Sequence, residues 1–144
     1  MTSLSKLFLR FNKLESLPEE IGCLKSLEVL SVRNNTLVTL PKQINQATSL
    51  KILDVSSNSL SKFGPASVGN LKLLKNLDLK LNRLTSLPTL GWKNLSNLRK
   101  LDLSQNRFVL FPVAIADIPN LDTLDMEGIE SKIDNQSRLT IKNF

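Results

Sequence analysis

The apolar positions of this chain fall into a repeating frame. LSKLFLRFNKL begins at Leu4, LEVLSVRNNTL at Leu27, LKILDVSSNSL at Leu50, LKNLDLKLNRL at Leu74 and LRKLDLSQNRF at Leu98. A degraded sixth copy, LDTLDMEGIES, begins at Leu121. The steps are 23, 23, 24, 24 and 23 residues. Each of the five full copies reads LxxLxLxxNxL, with Val or Phe as the only apolar substitutions. A second block follows each one: SLPEEIGCL, TLPKQINQA, KFGPASVGNL, SLPTLGWKNL and LFPVAIADI.

The spacing has a physical reading. Within LxxLxL the alternation around Leu30 and Val32 has period two, as a short strand requires. Pro and Gly in the second block end the strand. Apolar residues then recur at Ile21 and Leu24, one helical or 3₁₀ turn apart. A unit is therefore a strand, a turn and a short helical return. Alone it cannot bury its apolar face, but stacked copies form a solenoid with one continuous core.

Asn12, Asn35, Asn58, Asn82 and Asn106 recur in phase in the five full copies. A side-chain amide offers two donors and an acceptor. Inside the turn after each strand it satisfies backbone groups that no ladder reaches, so the column is structural. Gly64-Pro65 reads as a turn rather than a phosphate loop, because no GxxxxGK follows.

The motif LxxLxLxxNxLxxLPxxIxxL resembles the leucine-rich repeat family in its 23-residue intracellular form, like the repeats of Ras-suppressor, scribble-type and plant Ras-group proteins. The resemblance covers about residues 1–130. It implies an α/β fold: a curved right-handed array with a parallel sheet on the concave side and short helical or 3₁₀ returns on the convex side. It also implies a protein-binding role. SLPTLGWKNL resembles the family variant with an aromatic in the return, which places Trp92 in the core.

One leucine-rich repeat domain is expected over residues 1–144, with about five full repeats from Leu4, the degraded sixth from Leu121 and a closing segment at 131–144. The chain starts in phase, with Met1 where an apolar residue belongs and no polar cap before it. Three readings stay open: an excised fragment, a short isoform, or an apolar N-terminal end covered by another chain, self-association included. At the other end, Ile129 stands where Asn belongs, and the alternation of Leu139 and Ile141 hints at a final strand that closes the core.

Composition narrows the chemistry. There is no His among the 144 residues, which excludes Ser-His-Asp and Cys-His catalysis and His-ligated metals. The single Cys, Cys23, cannot form an intrachain disulfide, suits a reducing compartment and reads as a partly buried small hydrophobe. No apolar run approaches a membrane span, and the N-terminus lacks a signal-peptide pattern. We expect no catalysis, no cofactor, no metal and no membrane contact, and a cytoplasmic or nuclear location.

With the motif residues inside, function falls to the variable positions of the strand face. Their best candidates for partner binding are Phe8, Arg10, Phe11, Arg33, Asp54, Asp78, Lys80, Leu81, Arg83, Lys100, Asp102 and Arg107. Phe8 with Arg10 makes the leading anchor, since aromatics and Arg dominate interface energetics. Phe11 is expected instead to cover the open N-terminal end. Ser31, Ser56 and Ser104 are placed outward with the others. The five full motif blocks carry eleven basic and four acidic residues, and the sixth carries four acidic and no basic ones. The concave side is thus expected to be mostly basic, with an acidic C-terminal edge, a field that steers acidic partners. The Asp column (Asp54, Asp78, Asp102, Asp125) raises a cation-binding reading. A flat row lacks the chelating turn that such sites need, and Lys80, Lys100 and Arg33 are expected to neutralise it.

The leading function is a non-catalytic protein-interaction module, a scaffold or adaptor in signalling, whose basic concave face binds an acidic protein surface or peptide. Two alternatives stand beside it: a nucleic-acid binder using the same Lys/Arg row, prompted by a pI of 9.7, and an effector that mimics a host scaffold. Against nucleic acid stand the Asp column and the shortage of stacking aromatics. Replacing Asn58 by Leu is expected to cost roughly 1–3 kcal/mol in a denaturant melt, through unsatisfied backbone.

Overall fold

The computed structural model describes residues 3–63 and 68–129, and in it each motif block becomes a three-residue strand. These are β1 (Lys6–Phe8), β2 (Val29–Ser31), β3 (Ile52–Asp54), β4 (Asn76–Asp78), β5 (Lys100–Asp102) and β6 (Thr123–Asp125). They form one parallel sheet in sequence order, with Leu7, Leu30, Leu53, Leu77, Leu101 and Leu124 in register at its centre. Parallel neighbours need a crossover, and each return segment supplies it. The returns described as helical are 3₁₀ turns: Glu19–Cys23, Lys42–Gln46, Trp92–Asn94 and Val113–Asp117. Among the described residues there is no α-helix. The expectations for Gly64-Pro65 and for the closing segment 131–144 lie outside the described residues.

Leucines from the strands and apolar residues from the returns meet in a single core. Leu27, Leu30, Val32, Leu37, Ile44, Leu50, Leu53, Leu74 and Leu103 are fully buried within it. Trp92 lies in this core, as expected. Its indole N–H donates to the Pro88 carbonyl at 2.7 Å, and its ring stacks on Phe63 at 6.4 Å between centroids. The returns of the first two copies pass close enough that a Cβ on Gly22 would lie 2.5 Å from the Gln43 carbonyl oxygen. Cys23, expected partly buried, is exposed, because it stands at the outward end of its turn.

The amide column joins copy to copy. Asn35, Asn58, Asn82 and Asn106 each accept a main-chain N–H from the preceding copy (Leu14, Leu37, Leu60 and Leu84) at 2.9–3.0 Å. Each donates back to that copy, to the carbonyls of Leu9, Val32, Val55 and Leu79, at 2.8–3.1 Å. Each also bonds the carbonyl three residues before it. Asn12, in the first copy, is exposed and bonds the carbonyls of Leu9 and Arg10 within its own turn. In copy six Ile129 takes the slot and is buried, replacing polar bonds with apolar contact.

These bonds hold an unusual backbone. The residue before each Asn is left-handed: Phe11, Asn34, Ser57, Leu81 and Gln105 have φ between 53° and 57°. Their main-chain N–H groups donate to the next copy (carbonyls of Arg33, Ser56, Lys80, Ser104 and Glu127) at 2.8–3.1 Å. The turn is thus fixed from both sides, which is what lets strained residues persist. Copy six uses Gly128 there, with φ 79°, and a Cβ would lie within 2.9 Å of the Gln105 amide. For a bulky side chain the left-handed conformation costs roughly 1–2 kcal/mol, and Asn tolerates it best among non-glycine residues. Leu81→Asn is therefore expected to stabilise the protein by about 0.5–1 kcal/mol in denaturant titration.

Candidate functional site

The alternation of a strand sends its central leucine inward and its flanking residues outward, so three columns of side chains cross the sheet. The first holds Lys6, Val29, Ile52, Asn76, Lys100 and Thr123. The second holds Phe8, Ser31, Asp54, Asp78, Asp102 and Asp125. The third, two residues past each strand end, holds Arg10, Arg33, Ser56, Lys80, Ser104 and Glu127.

Over β3 to β6 these columns form a shallow groove of about 360 Å³. Asp54, Asp78, Asp102, Lys100, Asp125, Ile52, Asn76 and Thr123 line it above the sheet leucines. Four of the residues expected from the sequence to bind a partner thus come together: Asp54, Asp78, Lys100 and Asp102. Asp125, Asn76, Thr123 and Ile52 join them. Their signal was their phase in the same columns, which residue type alone does not reveal. Phe8, Arg10 and Arg33 occupy the N-terminal part of the same face, outside the groove. Phe11 and Leu81 sit at the left-handed turns, and Arg83 and Arg107 lie beyond the Asn column, where their main-chain N–H groups donate to Leu60 and Leu84.

The N-terminal part is organised by Arg10. Its guanidinium lies 4.8 Å from the centre of the Phe8 ring, a cation–π distance. Its Nε donates to the Ser31 hydroxyl, which donates to Asp54 Oδ2, both at 2.8 Å. Phe8 is 53% exposed and Phe11 74% exposed. Phe11 therefore does not cover the apolar end, because its left-handed turn aims the ring at solvent. Ser31, Ser56 and Ser104, expected to face outward, are buried. The reason is size: short hydroxyls sit beneath the larger carboxylates that they bond, Ser56 with Asp54 and Ser104 with Asp102 at 2.6 Å.

The Asp column is tied to its own turns. One oxygen each of Asp54, Asp78, Asp102 and Asp125 accepts the main-chain N–H two residues on, at 2.9–3.1 Å. Among the described residues none of Lys80, Lys100 and Arg33 forms an ion pair with the row, and the charge of Arg33 reaches Asp78 only in part. The ion pair among the described residues is Lys51 with Glu28, at 2.8 Å on the surface. No described group of three or more carboxylates or thiolates is close enough to hold a metal ion. Burial pushes the Asp78 carboxyl above its ordinary pKa. The Lys80 N–H bond opposes that shift, the charges of Asp102 and Asp54 on the neighbouring strands add to it, and Arg33 offsets only part.

A second concavity of about 190 Å³ lies between the returns of copies four and five, lined by residues such as Leu87, Phe108 and Phe111. Leu90, Val109, Leu110 and Val113 are exposed in these segments. It could not be foreseen from the repeat frame, since the return blocks vary too much in composition to be compared by phase.

Comparison with known proteins fits this geometry. The leucine-rich repeat family model matches residues 2–60, 25–84, 48–108 and 72–128, so the chain belongs to the leucine-rich repeat family. A leucine-rich repeat protein of Leptospira interrogans is 36% identical over 86% of this chain and 38% of its own, with a TM-score of 0.57. The leucine-rich repeat ectodomain of the receptor kinase SOBIR1 from Arabidopsis thaliana is 33% identical over 86% of this chain and 68% of its own, with a TM-score of 0.70. The plant peptide hormone receptor RGFR1, solved in complex with RGF2, is 26% identical over 88% of this chain, with a TM-score of 0.61. The chain spans 25% of that receptor and well under half of the Leptospira protein. No curated protein matches.

The Asp78 environment has a consequence for stability. Its folded pKa lies above the unfolded value, so ionisation opposes folding at neutral pH, and the penalty disappears as pH falls through the raised pKa. Asp78→Asn keeps an oxygen for the Lys80 N–H. Solvent reaches the carboxylate, which limits the effect. The variant is expected to melt roughly 1–4 °C higher at neutral pH, with the difference closing toward about pH 4 in thermal scans.

Proposed function

We propose that this chain is a non-catalytic protein-interaction module, a scaffold or adaptor that engages its partner through the concave sheet face. Leucine-rich repeat domains commonly mediate protein–protein contacts and are generally not enzymes. The observation that carries the reading is the face itself. A rigid sheet carries three columns of side chains on one face, with a groove over β3 to β6, and an exposed aromatic is braced by a guanidinium at one end. Six strands at ~4.8 Å spacing give a span of about 24 Å between the first and the last, enough for a standard interface of about 800 Å² per partner.

Arg10, Arg33 and Lys6 give the N-terminal part of the face a positive field, and it is there that an acidic surface or peptide would dock. The receptor solved in complex with RGF2 supports a peptide or protein as the partner class. A cytoplasmic or nuclear setting is part of the proposal, supported by the single free thiol of Cys23.

The test is a pull-down with three forms: wild type, Phe8→Ala/Arg10→Ala, and Arg33→Glu/Lys80→Glu/Arg107→Glu. Both variants are expected to lose specific protein capture while melting within a few degrees of wild type. Capture that is the same in all three, with melting intact, would refute the concave face as the binding surface.

A further inference from the structure

The concave face changes sign along the solenoid. Its first two copies present Lys6, Arg10 and Arg33 and no carboxylate in the three columns. The last four present Asp54, Asp78, Asp102, Asp125 and Glu127 against Lys80 and Lys100. The overall charge of +6 hides this division. The Arg10–Ser31–Asp54 hydrogen-bond chain marks the seam, since it links the basic copies to the first acidic one.

Beyond the seam the carboxylates lack cations. Asp78, Asp102 and Asp125 each use one oxygen on a main-chain N–H, and the other meets no hydrogen-bond donor or ion-pair partner among the described residues. They stand in register on adjacent strands, so they repel one another across the groove floor. A cation laid over the column relieves that repulsion; an anion worsens it. The groove is a trough with apolar lining from Ile52 and the sheet leucines, which suits a polypeptide better than a point ion.

Resting on the reading of the concave face as a protein-binding surface, we infer that its occupant is an extended peptide segment of opposed charge. Basic side chains at alternate positions lie over the Asp column of β3 to β6, and acidic residues lie over Arg10 and Arg33. Spacing supports the match. Asp54 to Asp125 covers three strand intervals, about 14 Å at ~4.8 Å each. Residues i, i+2 and i+4 of an extended chain project to one side and cover about 13 Å. Three alternate Lys or Arg residues therefore span the column. Phosphate-rich nucleic acid is the wrong partner for this part of the face, because it would lie against five carboxylates.

The experiment uses three kinds of fluorescein-labelled synthetic probe. One is a peptide with three alternate lysines followed by two alternate glutamates, made in both orders. The second is the same peptide with glutamate at all five charged positions. The third is a generic single-stranded RNA oligomer. Binding to the full chain is followed by anisotropy at low and moderate salt. The mixed peptide is expected to bind in one of its two orders, and Asp78→Asn/Asp102→Asn to weaken it about three- to tenfold. Arg33→Glu is expected to weaken it less, because it acts only on the acidic end of the peptide. Thermal melts of each variant confirm folding, and Asp78→Asn is expected to fold at least as well as wild type. Equal affinity for the all-glutamate peptide, tighter binding of the RNA, or no response to the Asp78/Asp102 pair overturns the inference. If that happens while the Arg33/Lys80/Arg107 reversal still abolishes protein capture, the module reading survives and only its charge polarity fails.

Discussion

A parallel strand of three residues has few ladder bonds and no hairpin partner, so something else must hold successive copies in register. In this protein the side-chain amides of Asn35, Asn58, Asn82 and Asn106 do it, each accepting from and donating to the copy before. A buried polar group left unpaired is expensive, and here each amide satisfies main-chain groups that the turn would otherwise orphan. The leucines supply the driving force, but apolar burial is non-directional. Directional bonds from the amides decide which turn lies against which. The strict phase of the strands, and with it the alignment of every outward column, follows from that.

Because register is fixed, chemistry at one motif position is multiplied along the array. An Asp after the central leucine in copies three to six becomes a row of carboxylates, and basic residues in the first copies become a positive end. The electrostatics of the face are thus a property of the stacking, not of any local cluster. Asp78 feels both neighbours because it stands between them, while Arg33, two copies away, is too distant to compensate fully. The ion pair of Lys51 with Glu28 sits off the face at the surface, where solvent screens it and it contributes little.

Much of the fold was legible in the sequence, because leucine spacing and the Asn column report burial and turns directly. Leu30, Leu53 and Leu77 lie where period two puts them, and Trp92 lies in the core. The face was read less well. Ser31, Ser56 and Ser104 share the alternation of exposed positions, yet they are buried, since each short hydroxyl sits beneath the carboxylate it bonds, Asp54 for Ser31 and Ser56 and Asp102 for Ser104. Alternation reports which side of the strand a residue takes, not how deep a short side chain lies beneath a longer one. Lys80, Lys100 and Arg33 were expected to neutralise the Asp row; sequence proximity could not show that their long side chains form no ion pair with it. The left-handed turns were missed because Phe11, Ser57 and Leu81 have no common chemistry to announce them.

That lack of common chemistry is itself informative. At most left-handed positions the backbone selects the residue, and glycine or asparagine is the usual outcome. Here five different side chains occupy the conformation, because the amide that follows and the copy that comes next hold the main chain whatever stands there. Identity and geometry are uncoupled at that point of the five full copies. Such a position is free to drift without unsettling the array, which makes the rim of turns a ready place for a repeat protein to acquire new recognition while its scaffold stays the same.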